Sequence, residues 1–154
     1  MNLIFLTELK AHGAEWVQFD EPFLALDIND KARAAYQYVF AELRKKFPQL
    51  KVLVATCFEG LKDNLTLAIP LPVNALHIDL VRSPEQLEEV LNAIPEQLTL
   101  SLGIVDGRNI WKNDFEQSLV VIRKAVDKLG MECGQFGINI ILYCILLNLF
   151  KLCS

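Results

Sequence analysis

Asp106, Arg108 and Asn109 close an alternating apolar run, "LTLSLGIVDGRNIW", from Leu98 to Trp111. An acid and a guanidinium delivered to the C-terminal end of a strand lie where α/β proteins usually carry their chemistry. Such a pair can bond to itself, cap a neighbouring loop, or fork onto a charged substrate. For both Asp106 and Arg108 the structural role is the expectation, and for the alternative, holding a substrate carboxylate, Arg108 is the better candidate. Asp20 and Glu21, directly before Pro22, form a second acidic pair. They could serve as acid and base, but adjacent carboxylates before a proline more often organise a loop. His77, between Leu76 and Ile78, reads as a hydrogen-bonded strand residue rather than a ligand. Cys57 has no base beside it and reads as packing.

These groups need elements to position them, and the chain repeats one pattern four times. "EWVQFD" reads as a strand followed by a helix from about Asp30, with Ala32, Tyr36, Val39, Leu43 and Phe47 on one face. "KVLVATCF" is nearly continuous in its apolar character, as strands buried on both faces are; a short helix between Gly60 and Ala68 follows, limited by Pro70 and Pro72. "ALHIDLV" is the third strand. "SPEQLEEVLNAI" supplies its helix, with Ser83 expected at the N-cap, Pro84 in the first turn and Gln86 in capping-box position. The fourth strand leads to a helix from about Asn113 that carries Phe115, Leu119, Ile122, Val126 and Leu129 on one face and stops at Gly130.

Strand then helix, repeated at roughly 25 to 35 residues, predicts parallel strands with right-handed crossovers. No glycine-rich phosphate-binding turn follows any strand, which removes the main reason to prefer a nucleotide-binding open sheet. Polar residues at successive strand ends suit a barrel rim, so the expected fold is α/β, a partial (β/α)8 barrel of about four units. Leu76, Ile78, Leu100, Leu102 and Ile104 are expected in its core. Val17, Phe19, Val52 and Val54 are expected to lack part of their packing, because four units cannot close.

The chain has 154 residues, 53% of them hydrophobic, and a net charge of -4, enough for one core and unsuited to nucleic acid. The basic run Arg44 to Lys46 falls at a helix end, where cations suit the dipole. The start, "MNLIFLTELKAHG", has no basic n-region or small-residue cleavage site, so a cytoplasmic location is expected. The four cysteines form no CxxC pair and the two histidines are far apart, so no metal site is expected. After Gly130 the composition shifts to "MECGQFGINIILYCILLNLFKLCS". This divides the chain into residues 1–130 and a divergent apolar tail, 131–154. The tail's run from Ile138 to Phe150 is too short and interrupted to span a bilayer, but it could lie against the sheet edge, add a strand, or anchor a partner.

"EWVQFDEPFLALD", "LHIDLVRSPEQLE" and above all "LSLGIVDGRNIWKNDF" resemble the N-terminal barrel of cobalamin-independent methionine synthase. The resemblance runs from about Leu6 to Gly130. It implies two barrels, with zinc held by His, Cys, Glu and Cys in the second, and transfer of a methyl group from methyltetrahydrofolate polyglutamate to homocysteine. The family's His-x-Cys zinc motif is absent here, so this fragment is expected to bind no cofactor and to be non-catalytic alone. The partners implied are the catalytic barrel and the folate polyglutamate tail, for which Arg108, Asp106, Asp20 and Glu21 are the candidate contacts. Self-association of an open barrel is also expected. Two alternatives stand beside this one: a truncated structural or binding remnant, and a uroporphyrinogen decarboxylase-like barrel, against which "DGRNIW" argues.

Overall fold

Apolar residues at alternate positions give each strand one face for the helices, and that alternation organises the whole molecule. The structure, a computed structural model, describes residues 3–107 and 110–130 and the backbone of 141–144. Helix α1 (Leu3–Ala11) leads into β1 (Trp16–Asp20), α2 (Asp30–Lys46), β2 (Lys51–Ala55), α3 (Leu65–Ala68), β3 (Ala75–Asp79), α4 (Gln86–Ala93), β4 (Thr99–Val105), α5 (Phe115–Leu129) and β5 (Ile141–Cys144). Short 3-10 turns at Pro22–Ala25 and Lys62–Asn64 follow β1 and β2.

The strands pair in chain order, β1-β2-β3-β4-β5, and all four pairings are parallel. The "LHIDLV" and "LSLGIV" strands are therefore neighbours, as expected. The fifth strand, beyond the four read from the sequence, comes from the apolar tail and shifts register between Leu102 and Val105.

Val17, Val52, Val54, Leu76, Ile78, Leu100 and Leu102 share one core cluster with Leu6, Phe40, Leu43, Leu87, Val90, Leu91 and Ala125 from the helices. The alternate residues of the same strands point the other way and stand in register across the sheet: Asp20 beside Ala55, Ala55 beside His77, His77 beside Ser101. Among the described residues the helices lie on one face only, the arrangement of a barrel wall, whereas a doubly wound sheet covers both faces. This corrects one expectation. Val17, Val52 and Val54 are buried and only Phe19 is partly exposed, because these residues face the helices and not the missing wall. Of the five residues expected in the core, Ile104 is partly buried and the others fully so.

Polar side chains hold the loops. Asn29 caps α2 by accepting from the Ala32 N–H at 2.9 Å. Arg44, in the last turn of α2, donates to the Asn74 side chain at 2.6 Å and the Pro72 carbonyl at 3.0 Å, fixing the approach to β3. Asn64, almost fully buried, donates to the Leu24 and Leu26 carbonyls at 2.8 and 2.7 Å and accepts from Arg33 at 2.9 Å, so the loops after β1 and β2 form one unit.

Two helices depart from their expected form. Helix α4 begins at Gln86, two residues later than the capping-box reading, and Ser83 donates to the Glu85 carboxylate instead of capping the helix. Gln86 reaches across to accept from the Leu61 N–H and donate to the Asp79 carbonyl, which ties the loop after β2 to the end of β3. In α5, Asp114 is the N-cap and Gly130 ends the helix at φ +79°. Its buried residue is Ala125, with Val121 and Leu129 packed beside it. Phe115 and Leu119, expected on the buried face, are 63% and 48% exposed, because the sheet takes only one side of a wide apolar arc.

Candidate functional site

The C-terminal ends of the strands form the rim, where Asp20 and Glu21 stand at the end of β1 and Asp106 after β4. Asp20, at the end of β1, accepts from the Gln18 amide at 2.5 Å and is exposed. Glu21 extends the ladder through its N–H to the Ala55 carbonyl at 2.8 Å, and its carboxylate accepts from the Tyr36 hydroxyl at 2.8 Å. Burial and this carboxylate push the Tyr36 hydroxyl pKa up, keeping it a donor. Asp20 and Glu21 therefore turn to different neighbours, and the loop-organising role fits Glu21. They do not form an acid–base pair.

Asp106, half-buried after β4, lines a cavity of about 510 Å³ with Val81, Ile104, Trp111, Lys112 and Asn113 among its walls. Asp114, in the same wall, spends its carboxylate on the Glu116 and Gln117 N–H groups, at 3.0 and 3.1 Å. Arg108 and Asn109 lie outside the described residues. With β2 and β3 between them, Asp20 and Asp106 stand three strand spacings apart, about 14 Å, so the two acids do not converge on one reacting atom.

Other residues face inward or fasten the rim: His77, read from the sequence as a hydrogen-bonded strand residue, as the structure has it, and Asp79 and Thr56, which the sequence reading passed over. Asp79 accepts from the N–H groups of Phe58, Val81 and Arg82 at 3.0, 3.1 and 3.0 Å, joining two adjacent loops. It holds Phe58 at φ +81°, a left-handed conformation that L-residues adopt at some cost. His77 is fully buried, its Nδ1 2.9 Å from the Ser101 hydroxyl. Burial lowers its pKa to about 4, against the opposing pull of Asp79 and Asp20, so the ring is neutral at pH 7. Thr56 donates its hydroxyl to the His77 carbonyl at 2.7 Å. The only sequence signal for this row was polar residues at every second position of otherwise apolar strands.

Among the described residues no three His, Cys, Asp or Glu side chains lie together in a way that could hold a metal ion. The zinc that the resemblance implies thus finds no fitting donor set there. No helix among the described residues is long and apolar enough to cross a membrane.

A parallel strand wall in chain order, helices on one face and polar loops on one rim define a segment of a (β/α)8 barrel. The fold is shared with a putative vitamin-B12-independent methionine synthase from Listeria monocytogenes, with a TM-score of 0.61 over 82% of this chain and 41% of that one, at 14% identity. The chain belongs to the cobalamin-independent synthase family, matching its N-terminal domain over residues 3–130. It is 50% identical over 129 residues to a 5-methyltetrahydropteroyltriglutamate–homocysteine methyltransferase of Cytophaga hutchinsonii, covering 82% of this chain and 17% of that protein. Proteins of the same description from Flavobacterium johnsoniae and Rhodopseudomonas palustris are 47% and 44% identical, over 81% and 86% of this chain and 16% and 17% of theirs. The chain thus spans about a sixth of the length of these curated relatives.

Proposed function

We propose that this chain supplies part of the first barrel of a homocysteine methyltransferase, in the cytoplasm, as a positioning scaffold with no catalytic group of its own. The observation that carries this reading is the 50% identity to a methyltransferase along the strand–helix units, read together with the absence of a fitting metal donor set among the described residues. In this role Asp79, Glu21 and Asn64 fix the rim loops. Asp106 and Arg108 present a carboxylate and a guanidinium to the catalytic barrel or to the glutamate tail of the folate, where a guanidinium can fork onto a carboxylate. Zinc, bound by the other barrel, would hold the homocysteine sulfur as a thiolate.

The alone-inactive part is tested by assaying the purified chain, with zinc supplied, for methyl transfer from 5-methyltetrahydropteroyltriglutamate to homocysteine. Turnover above a protein-free blank would overturn it. The scaffold part is tested by replacing the matching segment of the Cytophaga hutchinsonii relative with residues 3–130. Activity within about tenfold of the parent supports the reading, and a folded, inactive chimera refutes it.

A further inference from the structure

Helix α5 is apolar over a wider arc than the core covers. Ala125, Val121 and Leu129 face the sheet, and Lys124 pairs with Glu88 on α4. On the side turned away from α4, Phe115, Leu119, Ile122 and Val126 follow the i, i+4, i+7, i+11 spacing of one stripe. Phe115 and Leu119 are 63% and 48% exposed, and Ile122 and Val126 partly so. The outer border of the stripe carries an acid near the helix N-terminus, Glu116, and a base one heptad later, Arg123. Seven residues fall only ~20° short of two turns, so both lie on the same border. Both are exposed.

Such a stripe is complementary to itself only when the second helix runs the opposite way. Laid antiparallel about its centre, Leu119 of one copy meets Ile122 of the other and Phe115 meets Val126. Glu116 then falls about 3 Å along the axis from Arg123 of the second copy, twice by symmetry. Parallel two-fold alignment would instead set this border against the opposite one of the second copy, where Ala125 and Leu129 pack on the sheet, and leave Glu116 and Arg123 without each other. We infer that the occupant of this face is a second copy of the chain, forming a two-fold antiparallel α5–α5 dimer. The inference is independent of the methyltransferase reading, since it uses only α5 and its charges.

Sedimentation of the full chain over a wide concentration range tests it, with circular dichroism and thermal melting to confirm that each variant folds. The expected result is a monomer–dimer equilibrium. Leu119→Lys, at an exposed position, should leave the melt unchanged and abolish the dimer. Glu116→Arg and Arg123→Glu should each weaken association roughly tenfold, through lost pairs and new repulsions counted twice. The double reversal Glu116→Arg/Arg123→Glu should return it to within a few-fold of the parent. A monomer at every concentration would overturn the inference, as would association indifferent to Leu119→Lys or single reversals that the double variant does not rescue. Growth beyond two copies would also overturn it, since an antiparallel two-fold contact closes on itself.

Discussion

His77 is a buried imidazole held by Ser101, and Gly103 leaves it room: a Cβ at Gly103 would stand 2.8 Å from the ring's Cε1 and Nε2 and 2.9 Å from the Ile78 carbonyl oxygen. Gly103→Ala should therefore lower stability by ~1–3 kcal/mol, measured as a drop in melting temperature, because backbone stands in the way as well as the ring. The ring also links stability to pH. Its folded pKa is about 4, below the ~6.5 of an unfolded histidine. The unfolded chain therefore binds the proton first as pH falls. The contribution is complete above pH 6.5 and is lost progressively between 6.5 and 4, amounting to about 3 kcal/mol. Urea melts at pH 7, 5.5 and 4.5 should show this loss. His77→Gln should flatten it, and an unchanged pH slope in that variant would assign the acid sensitivity to other groups.

Caps and loop locks decide where the elements begin and how the rim is held. Asp114→Ala removes the acceptor for two N–H groups at the start of α5, and a loss of about 1 kcal/mol is expected in chemical denaturation. Asn64→Ala should cost more, ~2–3 kcal/mol, because it orphans the Leu24 and Leu26 carbonyls and the Arg33 guanidinium at a nearly buried position. Glutamine at the same position should not rescue it, since the donor would overshoot both carbonyls. The strands β1 to β4, their order and the stop at Gly130 were legible because apolar alternation and a positive-φ glycine are local signals. The start of α4 was misread: "SPEQ" is a helix-start pattern, yet Gln86 gains more by bridging Leu61 and Asp79 than by capping its own helix. The face of α5 was half legible, since periodicity shows that an arc is apolar but not which half the sheet will take. Asp79 was invisible as a lock between loops because, although the Val81 and Arg82 N–H groups are local to it, its third donor, Phe58, is brought beside it only by the parallel pairing of β2 and β3.

At the scale of the whole molecule, the β1 end of the wall carries an opening that the sequence did not announce. Between α1 and α2 lies a groove of about 560 Å³ lined by Phe5, Leu6, Phe19, Ala32, Ala35, Tyr36, Val39 and Phe40, with Glu21 as its charged group. Three of the residues expected to pack α2 onto the core, Ala32, Tyr36 and Val39, line this groove, while Phe40, Leu43 and Phe47 are the buried ones. A groove of that size and lining takes up an apolar fluorescent dye in proportion to the volume left open. Ala35 stands at an exposed helical position, so Ala35→Leu can fill the space at little cost in helix propensity. The expected outcome is dye binding weakened several-fold with the melting temperature unchanged or slightly raised, as the added methylenes cover the partly exposed Phe19. The α5 stripe offers the dye a second place, and Leu119→Lys separates the two. If Ala35→Leu leaves the signal intact and Leu119→Lys removes it, the groove is closed in solution and the uncovered surface of this wall lies at its α5 end alone.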